Sequence, residues 1–142
     1  MSNQSPASLS DEELVQRYID AGIRRHEVTK LFYEGIDYVE PFSALTKEIG
    51  AIFGELRSRN AEALLLPLLD HENPGVRLAA ASQCLPLAPE RAIAVLEAIK
   101  AMRNHVEEKN AWGTLYSWRN PVLREKVWAW NKPTSPPLSK PN

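Results

Sequence analysis

The sequence has few of the features that mark secreted, disulfide-linked or membrane-spanning proteins. Its 142 residues include one cysteine, Cys84, so the chain cannot form an internal disulfide. No apolar run approaches the roughly 20 residues that a helix needs to cross a bilayer. Residues 1–10 carry neither a basic nor an apolar region, so we expect no signal peptide. These absences favour a cytoplasmic protein that makes no membrane contact.

An excess of positive charge, which nucleic-acid binders use, is also missing. The chain has 17 basic and 18 acidic residues, which gives a net charge of −1. Proteins that bind phosphate backbones usually carry a basic stripe, because their cations release the counterions of the nucleic acid. The charge balance therefore argues against a nucleic-acid partner. With 44% hydrophobic residues, the chain can still build one ordinary globular core.

Metal-binding and catalytic motifs are incomplete. His26-Glu27 begins like the zinc motif H-E-x-x-H, but Lys30 stands where the second histidine ligand belongs. His105 and Glu107 resemble the start of a zinc-deaminase motif, whose P-C-x-x-C run is missing. The sequence also lacks a G-x-S-x-G motif and a glycine-rich phosphate loop. We therefore predict no catalytic residue, no cofactor and no metal site.

The remaining titratable residues fit ordinary structural positions. Cys84 falls on the apolar face of a predicted helix, which indicates a buried and unreactive thiol. Glu107 and Glu108 are adjacent and diverge on a helix, so we predict that they lie on a solvated face. We predict that His26 lies at the edge of the core and that His71 caps the end of a helix.

Apolar spacing and helix-capping signals predict an all-α protein of six to seven helices without a strand. Ser10 and Glu13 form a capping box, and Asn73-Pro74 and Asn120-Pro121 each place an N-cap residue before a proline. The predicted helices are 11–33, 38–58, 61–70, 74–87, 89–103, 106–119 and 121–130. Residues 10–119 are predicted to form one domain, followed by a short C-terminal helix over 120–130. Residues 1–9 and the proline-rich tail 131–142 are predicted to be disordered.

The central segment, residues 64–81, resembles a HEAT-type repeat. It combines a proline-interrupted leucine helix, an Asp-to-Asn-Pro turn, a Val-Arg pair and an alanine run, namely Leu64-Leu65-Leu66-Pro67-Leu68-Leu69-Asp70, Asn73-Pro74, Val76-Arg77 and Ala79-Ala80-Ala81. Over residues 12–119 the order of elements resembles an uncharacterised bacterial family of small HEAT-like proteins. The resemblance implies an α–α superhelix and no particular activity. It also implies a structural role for Arg77, with Asp70 or Glu72 as the acidic partner.

Four tryptophans lie close together near the C-terminus and are interleaved with basic residues. We consider three interpretations: a cap that closes the end of the helical stack, a protein interface, and a stacking platform for nucleic acid. The candidate protein-binding residues are Trp112, Tyr116, Arg119, Trp128 and Trp130. If residues 121–130 form one helix, Trp128 and Trp130 point about 200° apart. We then expect one of these two rings to be buried and the other partly exposed.

Architecture and the missing motifs favour a non-enzymatic protein–protein interaction module. Such a module can be an adaptor or a cytoplasmic immunity protein that neutralises a toxin. The alternative is a DNA-binding or DNA-repair protein of the HEAT-like glycosylase kind. A third possibility is an enzyme that uses scattered carboxylates, which would need a cleft holding carboxyl groups of strongly raised pKa.

Overall fold

The computed structural model describes residues 4–131, and this part of the chain is all-helical without a strand. This confirms the predicted all-α class. The α-helices are α1 (Asp11–Val28), α2 (Lys30–Tyr33), α3 (Val39–Ser58), α4 (Pro74–Cys84), α5 (Pro89–Lys100), α6 (His105–Arg119) and α7 (Pro121–Val127). Three 3₁₀-helices complete the fold: Pro6–Ser8, Glu62–Asp70 and Ala129–Asn131. The tail predicted to be disordered lies outside the described residues from position 132 onward.

The capping signals mark the helix starts correctly. Ser10 and Glu13 form the reciprocal capping box at the start of α1. The side chains of Asn73 and Asn120 accept hydrogen bonds from the backbone of the first turns of α4 and α7. Asn104 does the same for α6. These side chains satisfy N–H groups that have no partner inside the helix.

The first predicted helix, 11–33, is interrupted at Thr29. The Thr29 side chain is fully buried, and its Oγ1 donates to the carbonyl oxygen of His26 at 2.6 Å. Such a bond to the preceding turn competes with the regular helix ladder. The amide of Asn104 also donates to Thr29 Oγ1, at 2.8 Å, which ties this break to the start of α6.

The third predicted helix, 61–70, is a 3₁₀-helix over Glu62–Asp70. Pro67 lies inside it and has no N–H to donate, and its ring disfavours the α-helical arrangement of the preceding turn. Leu65, Leu68 and Leu69 are nevertheless buried against α4. The segment therefore keeps its core-facing role with a different backbone geometry.

Helix α4 lies at the centre of the molecule. It packs against α1, α5, α6 and the Glu62–Asp70 helix, while α1 also packs against α3 and α5 against α6. Most of its residues are buried, including Val76, Leu78, Ala80 and Cys84. The crossing of α4 with α1 is closest at Gly75, where an added Cβ would overlap the Gly22 carbonyl oxygen and lie 2.6 Å from His26 Cβ.

The turn before α4 is stabilised by hydrogen bonds of Arg77 that differ from the predicted ion pair. Arg77 donates to the carbonyl oxygens of His71 and Glu72, at 2.8 and 3.0 Å, and to neither of the predicted carboxylates. The carboxylate of Asp70 instead lies 3.3 Å from Arg91 of α5. The predicted ion pair between Arg77 and Asp70 is therefore wrong, because the arginine folds back onto the carbonyl groups of its own turn.

Residues 4–9 do not follow the prediction of disorder. Pro6–Ser8 form a 3₁₀ turn and Leu9 is buried in the core. Arg59 at the end of α3 donates to the carbonyl oxygen of Leu9 at 2.7 Å and to the carboxylate of Asp11 at 2.8 Å. One arginine from a distant element therefore fixes a segment whose own composition gave no sign of order.

Candidate functional site

The last two tryptophans form part of the core and do not lie on one helix as predicted. Helix α7 ends at Val127, and Trp128 turns inward with 6% of its surface exposed. Its Nε1 donates to the carbonyl oxygen of Ser82 on α4 at 2.9 Å. Trp130 is half-buried, and its ring meets Phe53 edge-on at 5.2 Å. Trp128 is therefore not available to a partner, and both rings hold the C-terminal segment on the domain.

A second aromatic group stays exposed on the outer side of α6. Trp112 and Tyr116 are 56% and 54% exposed, and their rings stack at 5.5 Å with an angle of 8°. Arg119, one turn further along the same face, binds the carboxylate of Glu97 at 2.9 Å. We call these three residues the α6 aromatic face. The structure thus groups three of the five candidate residues on one surface and places Trp128 and Trp130 elsewhere.

More aromatic rings lie beside the first turn of α6, outside the three residues of the α6 aromatic face. His105 lies two turns before Trp112, and its ring stacks on Phe32 at 4.9 Å. The hydroxyl of Tyr33 donates to the carbonyl oxygen of Arg103 at 2.8 Å and accepts from the backbone N–H of His105. The α2 segment therefore adds two partly exposed aromatic rings beside α6. Sequence reasoning missed them because they come from a distant part of the chain.

A hydrogen-bonded pair of side chains joins α1 to α6. Nδ1 of His26 lies 2.8 and 2.9 Å from the two carboxylate oxygens of Glu107, which is only 1% exposed. The prediction that Glu107 lies on a solvated face is wrong. Glu107 shares a four-residue spacing with Ala111 and Leu115, which are both buried, so helix periodicity could have placed it inside.

Beside this pair, α1 also buries an arginine. Arg25 is 5% exposed, donates to Thr46 Oγ1 at 3.0 Å and lies over the Phe42 ring at 5.1 Å. Among residues 4–131, Arg25 has no carboxylate within ion-pair distance. Burial lowers the pKa of its guanidinium, while the nearby Tyr18 and Glu107 raise it. The charge of Arg25 is thus buried without a direct counter-ion.

Arg25 lies in a groove between α3, α4, α6 and the C-terminal segment. The inner chamber has a volume of about 170 Å³ and is lined by Arg25, Thr46, Ile49, Ala79, Ser82, Gln83, Asn110 and Thr114. It adjoins an outer part of about 640 Å³, with which it shares Ser82, Gln83, Asn110 and Thr114. Phe53, Trp128 and Trp130 form part of the outer wall, and Lys109 also lines it. The groove and the α6 aromatic face use different faces of the same helix.

The α6 aromatic face and the groove present aromatic rings, amide and hydroxyl groups and basic side chains. Among residues 4–131, no group of three or more histidine, cysteine, aspartate or glutamate side chains is placed to hold a metal ion. Burial raises the pKa of the Cys84 thiol to about 12, so this cysteine stays protonated and is a poor nucleophile. None of the helices in this range is long and apolar enough to span a membrane.

The fold and the two surfaces define a small all-helical domain with an exposed aromatic face and a separate polar groove. The chain belongs to the family described as Domain of unknown function (DUF2019), which matches residues 12–117. The match spans α1 to the last turn of α6 and stops before α7, Trp128 and Trp130. No curated protein and no solved structure matches the chain.

Proposed function

We propose that this protein is a non-enzymatic protein–protein interaction module that contacts its partner through the α6 aromatic face. The observation that carries this proposal is the stacked pair of Trp112 and Tyr116, each more than half exposed. Tryptophan, tyrosine and arginine are the residues enriched in interface hot spots. The buried residues of α6 are Val106, Glu107, Ala111 and Leu115, so the two rings lie outside the buried face of this helix.

The stacked pair is also organised before any partner arrives. The two rings are nearly parallel, and Arg119 is held in place by its ion pair with Glu97. A contact surface whose side chains are already ordered loses less conformational entropy on binding. This supports a specific contact more than a chance exposure of two apolar rings.

The charges around the pair favour a partner with an apolar anchor surrounded by carboxylates. The carboxylate of Glu97 lies 2.9 Å from the guanidinium of Arg119 and 3.4 Å from the ammonium group of Lys100. One negative charge therefore faces two positive charges. Lys100 and Arg119 line a depression of about 140 Å³ beside Trp112 and Tyr116. An apolar side chain of the partner could enter this depression while its acidic neighbours meet the two cations.

We further propose a HEAT-like architecture for the domain. It is supported by the pairing of α1 with α3, of the Glu62–Asp70 helix with α4, and of α5 with α6. In such stacks each pair covers its neighbour, and the last pair leaves one face free. A bacterial adaptor or a cytoplasmic immunity protein would use this free face to hold its partner. A DNA-binding role is the alternative, and the two cations of the groove are few for it because phosphate contacts are usually numerous.

Site-specific photo-crosslinking in cells tests the proposal. A photoreactive phenylalanine analogue replaces Tyr116, and the control carries the analogue at Val122, which is exposed on α7 and lies outside the groove. We expect one protein to be linked from position 116 and not from position 122. The linked protein, once purified, should bind the unmodified chain. Equal linkage from both positions, or linkage without binding of the purified protein, would contradict an interface at α6.

A further inference from the structure

The charged residues that line the groove beside Arg25 are all basic. The chain contains 18 acidic residues, yet none of the residues that line the groove is acidic. Two of them, Arg25 and Lys109, are cationic. The buried carboxylate of Glu107 is bound to His26 and lies outside the lining. The groove is therefore built to receive negative charge.

The buried guanidinium at its inner end has donors to spare. A guanidinium carries five N–H donors. Among the hydrogen bonds of residues 4–131, Arg25 makes one, to Thr46, and the residue lines the inner chamber. A buried cation in this state gains from any anion that enters, because the low local dielectric strengthens the attraction.

Other polar groups converge on the same chamber. Oε1 of Gln83 accepts from the buried hydroxyl of Tyr18, which leaves the NH₂ group of this amide as the free end. The side-chain amide of Asn110 has no hydrogen-bond partner among residues 4–131. The hydroxyl oxygen of Ser82 is buried and also lacks a partner in this part of the chain. Ser82 Oγ is thus a buried polar atom without a partner among the described residues, and such atoms are rare in folded proteins. Together with the half-buried amides of Gln83 and Asn110, it points to a ligand in this chamber.

We propose that the groove binds an organic carboxylate whose apolar body lies against Phe53 and Trp130. The inner chamber, of about 170 Å³, holds a single cation, which matches a singly charged planar group better than a phosphate dianion. The outer part has aromatic walls for the rest of the ligand. This site is independent of the α6 aromatic face, so it does not rest on the proposed function.

Nuclear magnetic resonance of the ¹⁵N-labelled full chain tests the site with benzoate as the probe and benzamide as its uncharged counterpart. We expect benzoate to shift the side-chain N–H signals of Gln83, Asn110 and Trp130 in a saturable way. The indole signal of Trp112, outside the groove, is the internal control and should not move. Benzamide and inorganic phosphate should leave all these signals unchanged. Equal shifts with benzamide, shifts with phosphate alone, or no shift with benzoate would each overturn the proposal.

A free acid and a peptide terminus share the carboxylate chemistry, and a second pair of probes distinguishes them. The pair is an acetylated tripeptide ending in phenylalanine with a free carboxylate and the same peptide with a terminal amide. Shifts with benzoate and with the free peptide support a groove that accepts a chain end. Shifts with benzoate alone support a small organic acid. Shifts with the amide peptide that equal those of the free peptide contradict the requirement for a carboxylate.

Two sets of variants tie the binding to the residues named. Replacement of Arg25 can unfold the protein, so we use Gln83→Glu, which keeps an acceptor for Tyr18 and supplies Arg25 with an internal carboxylate. This variant should lose the benzoate shifts and melt at a higher temperature. Lys109→Ala should weaken benzoate binding several-fold, while Lys126→Ala, with the same change in charge on α7, should not. A folded Gln83→Glu variant that binds benzoate like the unmodified chain would disprove the site.

Discussion

Cys84 is fully buried on α4, and its protonation couples to folding. Burial raises the pKa of its thiol from 9.0 to about 12 in the folded chain. Between these values the unfolded chain loses the thiol proton and the folded chain keeps it. The unfolded state therefore binds fewer protons, and the free energy of unfolding falls by about 1.4 kcal/mol per pH unit across this range. Below pH 9 this contribution is fully present.

The prediction is checked with urea unfolding of the unmodified chain and of Cys84→Ala between pH 9 and 11. The pKa of the Tyr18 hydroxyl is also raised well above its ordinary value of 10.0 by burial, so some decline remains in both proteins. The alanine variant is less stable at neutral pH, but its stability should fall less steeply as the pH rises. Parallel pH profiles would show that the thiol is accessible to solvent.

The hydrogen bond between His26 and Glu107 makes a second prediction about single residues. His26→Ala leaves the Glu107 carboxylate buried without its partner, which costs about 1–3 kcal/mol of unfolding free energy. Glu107→Gln removes the charge and keeps a group that can bond to His26, so it should cost clearly less. Chemical denaturation of both variants measures the difference. A larger loss for Glu107→Gln would mean that the carboxylate is not buried as described.

Sequence reasoning located most helix caps and failed at buried polar residues. Ser10, Asn73 and Asn120 are recognisable because a cap depends on the few residues that follow it. The predictions for Glu107 and Arg77 use only their neighbours in sequence. The partner of Glu107 is instead set by packing between two helices, and the partners of Arg77 are set by the path of its own turn. Of these two residues, only Glu107 could have been placed correctly from the sequence, because its four-residue spacing to Ala111 and Leu115 indicates burial.

Among the helices, the crossing of α1 and α4 depends on the absence of a side chain at Gly75. An added methyl group meets backbone of α1, which cannot move away cheaply, so Gly75→Ala should destabilise the protein by about 1–3 kcal/mol. Gly54→Ala on the exposed side of α3 meets nothing within 4 Å and should stabilise by up to about 1 kcal/mol. Thermal melts of the two variants should therefore shift in opposite directions. A melt of Gly75→Ala at or above that of the unmodified chain would mean that the helices are farther apart.

The C-terminal segment is an element that the family match does not include, yet it covers the core. Trp128 contacts Ser82 through a hydrogen bond and meets Trp118 edge-on at 5.2 Å. Trp128→Ala should lower the free energy of unfolding by about 3–5 kcal/mol, as for other buried large side chains. Differential scanning calorimetry gives this loss directly. A melt unchanged from that of the unmodified chain would show that the segment is detached in solution.

The helices were predictable where the chain repeats an apolar spacing, and their interruptions were not. The break at Thr29 depends on Asn104, which lies in another helix. The 3₁₀ geometry of Glu62–Asp70 follows from Pro67, whereas the sequence predicts a proline-interrupted helix over 61–70. Short-range signals thus set where an element starts, while contacts with other elements set its exact form.

For the molecule as a whole, the two surfaces differ in how far the sequence could reveal them. Trp112, Tyr116 and Arg119 belong to one helix, so their common face follows from helical spacing. The groove combines residues of α1, α3, α4 and α6 with the C-terminal segment, and no local pattern joins these elements. Sequence reasoning accordingly proposed an interface and did not find the groove.

A comparison of Trp112→Ala with Trp128→Ala tests the central claim most directly, because the first should affect only partner binding and the second only stability. The measurement is the dissociation constant of the crosslinked partner, once purified, together with the melting temperature of each variant. Trp112→Ala should weaken binding about 30-fold, as expected for the loss of a hot-spot residue, and leave the melting temperature unchanged. Trp128→Ala should lower the melting temperature while the folded protein binds as before. Undiminished binding by Trp112→Ala, in a variant that folds normally, would contradict the α6 aromatic face as the interaction site.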